Sequence, residues 1–479
     1  MNKIKINVIY NLIYQILVLI LPLITVPYVS RVLGADGIGI YSYTYSIAYY
    51  FMLIAMLGLN NYGNRTIAKV RDDKEKLSKE FCSIYAFQIM TSLLMVIFYL
   101  IYVLVFCSQY KQIAFIQIIY VISSMFDINW FFFGIEKFKL TITRNTIIKL
   151  LSLVLIFVFV KTPNDVWIYT LILAGSILFS NIILFSFLRK YITIQKVNKK
   201  EIMKHLKPNL TLFLPVIAVS IYKIMDKIML GILSNMVEVG YYENAEKIIQ
   251  VPVTIITALG TVMLPRVSNM LSNNQENEVK KLLDKTMPFI MFLAIPMVLG
   301  MIAISKDFSI LFFGEGFEKS GYLIQLLSIT TIFLSWGNVI RTQYLIPKER
   351  DREYIISAFL GAIVNFIMNC ILIPKYASIG ACIGTIAAEF IVMFYQSWVV
   401  RKELTLKEYI KSSMGFLIKA VIMFVIIIIV GNLIQDSKSK KIIIQIIAGV
   451  LTYGLLNIRY ILNNLPIKNI VSKVKGGHA

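Results

Sequence analysis

Apolar residues fill this chain in windows of about twenty, long enough as helix to cross a hydrocarbon core of roughly 30 Å. About fourteen such windows can be drawn. They begin near Val8, Ile38, Phe81, Ile113, Ile147, Val166, Asn209, Val239, Met287, Tyr322, Ile355, Ser378, Ser412 and Ile442. The pattern predicts an all-α polytopic membrane protein. No connecting loop exceeds roughly twenty-five residues, so no separate soluble domain is expected. Composition agrees: 58% of the 479 residues are hydrophobic, 15% are charged, and the mean hydropathy is +0.74.

An internal repeat sets the expected organisation. Arg31-Val32-Leu33-Gly34, Gly39-Ile40-Tyr41, Leu57-Gly58 and Arg65 are paralleled by Ile228-Met229-Leu230-Gly231, Gly240-Tyr241-Tyr242, Leu259-Gly260 and Arg266. Both copies run the same way through the bilayer, which predicts two parallel six-helix halves related by an axis along the membrane normal. The expected boundaries are 1–188 for the first half, 189–207 for a basic cytoplasmic linker, 208–401 for the second half, and 402–479 for two further helices and a tail. Pro22, Pro27, Pro215 and Pro252 fall in the repeated spans, where each removes a backbone hydrogen bond and favours a bend.

One stretch conflicts with its surroundings. Ser220 to Gly231 places Lys223, Asp226 and Lys227 inside the seventh apolar window. The large apolar residues of Asn209 to Ile232 favour insertion by roughly 3 to 6 kcal/mol, whereas three charges oppose it by roughly 8 to 10 kcal/mol. Alone in lipid the helix is unstable, so its charges must face protein or water. Lys223 and Lys227 are one helical turn apart and share a face with Asp226 close by. Such a net-cationic face fits a path for an anionic substrate. Its structural alternative is a buried ion pair that fixes helix packing.

The net charge of +22 and pI near 9.6 do not point to nucleic acid here, because the basic residues lie in short loops between apolar spans. With an even number of spans, about 34 of the 48 Lys and Arg fall on the cytoplasmic side. Both termini are therefore expected in the cytoplasm. Cys82, Cys107, Cys370 and Cys382 lie in or beside apolar segments without metal-ligand spacing, so no metal site, cofactor or disulfide framework is indicated. Phosphate-loop, HExxH and GxSxG motifs are absent, and Gly314 to Ser320 fails the phosphate-loop spacing. The chain is not expected to be an enzyme, and a gradient, the membrane potential or substrate mass action would drive any transport.

At PYVSRVLG, GIGIYSYTYSI, NYGNRTIAKVRDDKEKLSK, MDKIMLG and GYYENAEKI the sequence resembles the Wzx-type flippases of polysaccharide repeat units. Their superfamily also holds multidrug antiporters and the lipid II flippase. The resemblance implies a V-shaped, two-lobed transporter in the cell membrane, working by alternating access. Its cargo would be an undecaprenyl-pyrophosphate-linked oligosaccharide, moved from the inner to the outer leaflet. The resemblance implies membrane lipids as surroundings and a polysaccharide polymerase with chain-length machinery as partners. It also implies substrate contacts at Arg31, Asp226, Lys227 and Lys247. Lys223 joins them from the spacing argument. Lys227 stands where the family often has Arg, which keeps the charge but loses bidentate phosphate recognition. Arg341 stands where a small or neutral residue is expected.

Each candidate has a plainer reading. Arg31 is near the end of its span and can snorkel, as can Arg341 and Lys419. Lys247 has Glu243 at i−4, the favourable order for a helical ion pair. Glu389, near the middle of the twelfth span, is a candidate proton or cation site, and Asp127 a weaker one; a hydrogen-bonded structural acid is the alternative. Tyr41, Tyr43, Tyr45, Asn60, Tyr241 and Asn244 offer hydrogen bonds to sugars or simply pack. His205 and His478 are not expected to relay protons. Two other functions stay open: a related exporter, either of lipid II or an ion-coupled antiporter that would want an acidic cleft, and a membrane polymerase, which would need catalytic groups.

Overall fold

The computed structural model describes the backbone of residues 3–434 and 436–464. Side chains are described over the same range except at 3–19, 222, 259, 261, 262 and 464. His478 and the tail expected at 465–479 lie outside the described residues, as do the side chains of Val8 and Leu259. All described secondary structure is helical, and twelve stretches are long and apolar enough to cross a membrane. About fourteen spans were expected. The seventh, which falls in Leu206–Leu233, is not among the twelve, and the first two run together as α1 (Lys3–Met56), whose one non-helical residue is Gly34, with φ 68° and ψ 179°. That positive φ suits glycine and lets the chain turn between the two apolar runs.

Contacts group the chain into two compact units, 1–244 with 365–381, and 245–364 with 382–479. The first unit holds α1, α2 (Leu59–Val70), α3 (Lys74–Ile101), α4 (Lys111–Ser123), α5 (Asn129–Gly134), α6 (Phe138–Phe159), α7 (Val166–Leu188), α8 (Lys199–Met203) and α9 (Leu206–Leu233). It also takes the first turns of α10 (Met236–Ser272) and the second half of α14 (Asp351–Tyr376). Asp73 caps α3, its carboxylate accepting from the Glu75 and Lys76 N–H groups.

The core of this unit is built around Trp130. Its ring lies against Gly63 of α2 so closely that a Cβ there would sit 2.6 Å from it. The indole N–H donates to Gln88 Oε1 at 2.9 Å, and Gln88 Nε2 donates onward to the Ser124 and Asp127 carbonyls at 2.6 and 3.0 Å. A large buried ring thus has its polar atom satisfied by a buried amide that is itself spent on backbone acceptors.

The repeated glycines meet each other. A Cβ on Gly39 of α1 would overlap the Met236 carbonyl, and one on Gly240 of α10 would overlap the Ala35 carbonyl. The contact is reciprocal, since 35 and 236 are spaced as 39 and 240 are, and it brings two backbones together with nothing between them. Gly231 likewise receives the Tyr43 ring, and Gly58 the Asn209 carbonyl. α9 and α10 are thereby held directly on α1 and α2.

A second junction lies at the start of α9. His205 is fully buried; Tyr62 Oη is 2.8 Å from its Nδ1 and Ser83 Oγ is 2.8 Å from its Nε2. Beside it Lys204 pairs with Glu80 and Lys79 with Glu201. Burial, and after it the Lys204 charge, pushes the imidazole down to about 4.

The second unit continues α10 and adds α11 (Glu276–Phe313), α12 (Glu318–Ser328), α13 (Thr330–Ile340), the first half of α14, α15 (Ser378–Val400), α16 (Leu406–Leu433), α17 (Lys438–Leu456) and α18 (Ile458–Asn464). The first turn of α15 belongs to the other unit. Its core packs Ile290, Ile295, Trp336, Tyr409, Met423 and Tyr453. At one end Glu403 gathers Lys348, Arg350 and the Tyr344 hydroxyl, at 3.5, 2.8 and 2.6 Å. A largely apolar hollow of about 550 Å³ lies between α10, α11, α16 and α17, lined among others by Pro252, Phe292, Met297, Ile446 and Tyr453.

Two outcomes follow from these packings. Gly240→Ala must separate α10 from α1, so its melting temperature in detergent should fall by several degrees, and Gly300→Ala, which meets no atom, should leave it unchanged. His205 is neutral when folded and disfavours its proton, so its contribution is complete above about pH 6.5 and is lost as pH falls through about 4. His205→Gln should flatten the melting-temperature profile across that window.

Candidate functional site

The conflict seen in the sequence is resolved inside the first unit by α10 and α14. Asp226 is 1% exposed. Its carboxylate accepts from the Tyr242 hydroxyl of α10 at 2.6 Å and from Asn369 Nδ2 of α14 at 2.6 Å. Asn369 Nδ2 also reaches Asn365 Oδ1, one helical turn back, at 3.2 Å. A buried carboxylate is tolerable only with such donors, and hydrogen bonds to an ionised acceptor are short and strong. Asn369 Oδ1 and Asn365 Nδ2 are buried without a hydrogen-bond partner of their own. The cluster thus combines a carboxylate, a phenol and spare carboxamide atoms.

Lys227 turns another way. Its ammonium is 3.0 Å from Glu243 Oε2 of α10, and the two side chains are only 14% and 12% exposed. Ser42 of α1 donates to the same oxygen at 2.7 Å. Glu243 therefore joins three helices. The sequence singled it out as a neighbour of Lys247 on its own helix; tertiary packing gives it a cation on α9. Lys223 is exposed and makes no hydrogen bond or ion pair among the described residues. One turn of α9 carries a free ammonium, a half-buried pair and a buried, hydrogen-bonded acid.

Around this turn the polar atoms continue. Asn244 Nδ2 donates to Ser30 Oγ at 3.0 Å and Tyr50 Oη to the Ser220 carbonyl at 3.1 Å. Tyr41 and Tyr120 join hydroxyls at 3.0 Å, and Tyr45 lies against both rings. Tyr41 is packed with Tyr120 and Tyr169, so its ring serves the interior of the first unit.

The other candidates are scattered. Arg31 is exposed on α1, where it donates to the Pro27 carbonyl at 3.2 Å. Asp127 accepts from the backbone and side chain of Asn129 at 3.1 and 2.6 Å, at the head of α5 in the Trp130 cluster. Asn129 in turn accepts from Arg144, a buried guanidinium that also donates to the Ser180 carbonyl. Lys247 and Glu389 belong to the second unit, Lys247 half-buried on α10 and Glu389 5% exposed on α15. Arg341 lies over the Tyr354 ring at 5.5 Å, and Lys419 donates to Asn457 at 3.1 Å. No group of three or more metal-ligating side chains occurs among the described residues.

Membrane-length helices in two units, with charges inside an apolar helix of one of them, define a polytopic α-helical membrane protein. The fold matches that of "Lipid II flippase MurJ, inward closed conformation" with a TM-score of 0.74, at 18% identity, over 96% of this chain and 99% of that one. It also matches "Inward-facing conformation of a multidrug resistance MATE family transporter of the MOP superfamily" with a TM-score of 0.58, at 12% identity, over 82% and 99%. The family model described as "Polysaccharide biosynthesis protein" matches residues 4–271, and the chain belongs to that family. Among curated relatives, the "Putative O-antigen transporter" of Escherichia coli (strain K12) is 24% identical over 84% of this chain and 98% of its own length.

The paired charges set a stability expectation. Lys227→Met removes the ammonium 3.0 Å from Glu243, and Glu243→Met removes the carboxylate that faces Lys227; breaking a largely buried pair in this way costs about 3 to 5 kcal/mol. Lys227→Met with Glu243→Met should recover most of that loss. Denaturant titration of the three variants in detergent checks it.

Proposed function

We propose that this protein is a flippase that carries an undecaprenyl-pyrophosphate-linked oligosaccharide repeat unit from the inner to the outer leaflet, for assembly of a surface polysaccharide. The observation that carries this reading is the Lys223–Lys227 turn of α9, one ammonium exposed and one held half-buried by Glu243. An anionic headgroup needs a counter-charge to leave water, because stripping even one charge in hydrocarbon costs tens of kcal/mol. Lys223 offers that charge at once. Lys227 offers it on release from Glu243, so headgroup binding and a change in the α9–α10 contact are one event. Membership in a polysaccharide biosynthesis family and a relative named as an O-antigen transporter support the cargo class.

In this reading the halves 1–188 and 208–401 alternate in exposing the site to the two faces of the cell membrane, with both termini in the cytoplasm. Asp226 with Tyr242 and Asn369, and more remotely Glu389 and Asp127, are the groups through which an ion gradient would drive the cycle. Arg31 and Lys247 complete the substrate contacts. Polysaccharide polymerase and chain-length machinery would take the product on the far side. The exposed Lys223 disfavours an antiporter of cationic drugs, and a polymerase would need catalytic groups, for which the sequence shows no phosphate-loop, HExxH or GxSxG motif.

Reconstituted vesicles bearing a lipid-linked oligosaccharide, read with an impermeant sugar-oxidising reagent, test this. Wild type should move the glycan between leaflets. The double variant Lys227→Met with Glu243→Met, inserted and folded, should lose translocation at least about tenfold, the factor equivalent to one lost charge-assisted contact. Unchanged transport by the double variant would remove this turn from the mechanism.

A further inference from the structure

A second feature is built from different residues, at the end of α7. A hollow of about 520 Å³ lies there, lined by Phe185, Ser186, Leu188, Arg189, Ile192 and Ile194. Its walls are apolar except for one hydroxyl and one guanidinium. Ile192 and Ile194 belong to the segment from Ile192 to Asn198, which is not helical yet is tied to α3. The Thr193 N–H donates to Ser78 Oγ at 3.1 Å and the Gln195 N–H to Cys82 Sγ at 3.4 Å, both on α3. Ile192 is 6% exposed and packs in the Trp130 core. Ile194, two residues on, is 94% exposed. A large apolar side chain held in water on a tethered segment forfeits its burial energy unless something covers it.

Charge points to what covers it. Arg189, Lys190, Lys196, Lys199 and Lys200 are exposed and form no ion pair among the described residues. The acids nearby are mostly spent: Glu80 pairs with Lys204 and Glu201 with Lys79, which leaves Glu75, whose carbonyl accepts from Gln195. One of these five unpaired cations, Arg189, lines the hollow, and the other four follow it within eleven residues, directly after a membrane-length helix ends. A water-soluble acidic partner would answer the charges but would have no reason to meet an apolar hollow at the end of the membrane-length helix α7, where Phe187 is 42% exposed. A phospholipid answers both demands. Clusters of four to eight basic residues beside a span attract anionic headgroups, and acyl chains fill apolar grooves at the same level.

We infer that this hollow seats one anionic phospholipid of the surrounding bilayer, its phosphate on the Arg189 guanidinium and an acyl chain along Leu188, Ile192 and Ile194. The seated lipid covers Ile194 and holds the linker against the membrane face. The inference needs only that the chain lies in a membrane; it does not depend on the cargo of α9.

Native mass spectrometry of the full chain in detergent, titrated with phosphatidylglycerol or phosphatidylcholine, reads the tightest bound equivalent. Wild type should prefer phosphatidylglycerol. Arg189→Gln should weaken that equivalent about fivefold, the effect of one basic residue at an anionic surface, and Ile194→Ser roughly tenfold. Lys402→Gln, an exposed lysine elsewhere, should leave it unchanged. Equal affinity for the two lipids, or a phosphatidylglycerol equivalent that neither Arg189→Gln nor Ile194→Ser moves, would overturn the proposal; the latter result would leave the cations to a soluble acidic partner.

Discussion

Charged side chains inside an apolar helix must be matched or hydrated, and the first unit matches two of the three on α9, Asp226 and Lys227. The helix could not lie in lipid with Lys223, Asp226 and Lys227 unanswered. Asp226 is answered by neutral donors from α10 and α14, and Lys227 by an acid on α10 that Ser42 of α1 also holds. These partners lie far from α9 in sequence, so the charges select which helices may pack there. In the proposed cycle an external phosphate competes with Glu243 for the Lys227 ammonium, and the displaced carboxylate then needs a proton or another donor.

Close backbone approach makes the matching geometrically feasible. Gly39 and Gly240 let α1 and α10 touch without intervening side chains, and Gly231 accepts the Tyr43 ring. Ser42 and Glu243 come together because they stand three residues beyond the two paired glycines. A methyl group at either glycine would push the helices apart and lengthen every polar contact one turn further along. Steric and electrostatic demands therefore coincide on one short segment.

The membrane class was legible from composition and window length, and the burden on α9 from three charges in one apolar run. Gly39 and Gly240 were legible as a matched pair of glycines, although nothing in one sequence says that the helices touch at those residues. One partner was not legible. The place of Glu243 at i−4 from Lys247 could be read locally, but only tertiary packing brings Lys227 to Glu243. Asn365 and Asn369 carried a readable signal, two carboxamides one turn apart in an otherwise apolar helix, but which acid they serve depends on how α14 meets α9. His205 looked like one more residue of a basic loop, and its burial between Tyr62 and Ser83 follows from the fold of α2 and α3. Asp127 had a carboxylate in a span to recommend it, and the structure places that carboxylate on the backbone of α5.

The account turns on Lys223 facing water that an anionic lipid headgroup can enter. With Cys82, Cys107, Cys370 and Cys382 replaced by alanine, Lys223→Cys in sealed vesicles can be challenged with a charged, membrane-impermeant thiol reagent. The account predicts labelling, and protection from it when a pyrophosphate-linked lipid oligosaccharide is added. A thiol that resists the reagent from both sides, or that reacts at the same rate with the lipid present, would contradict it.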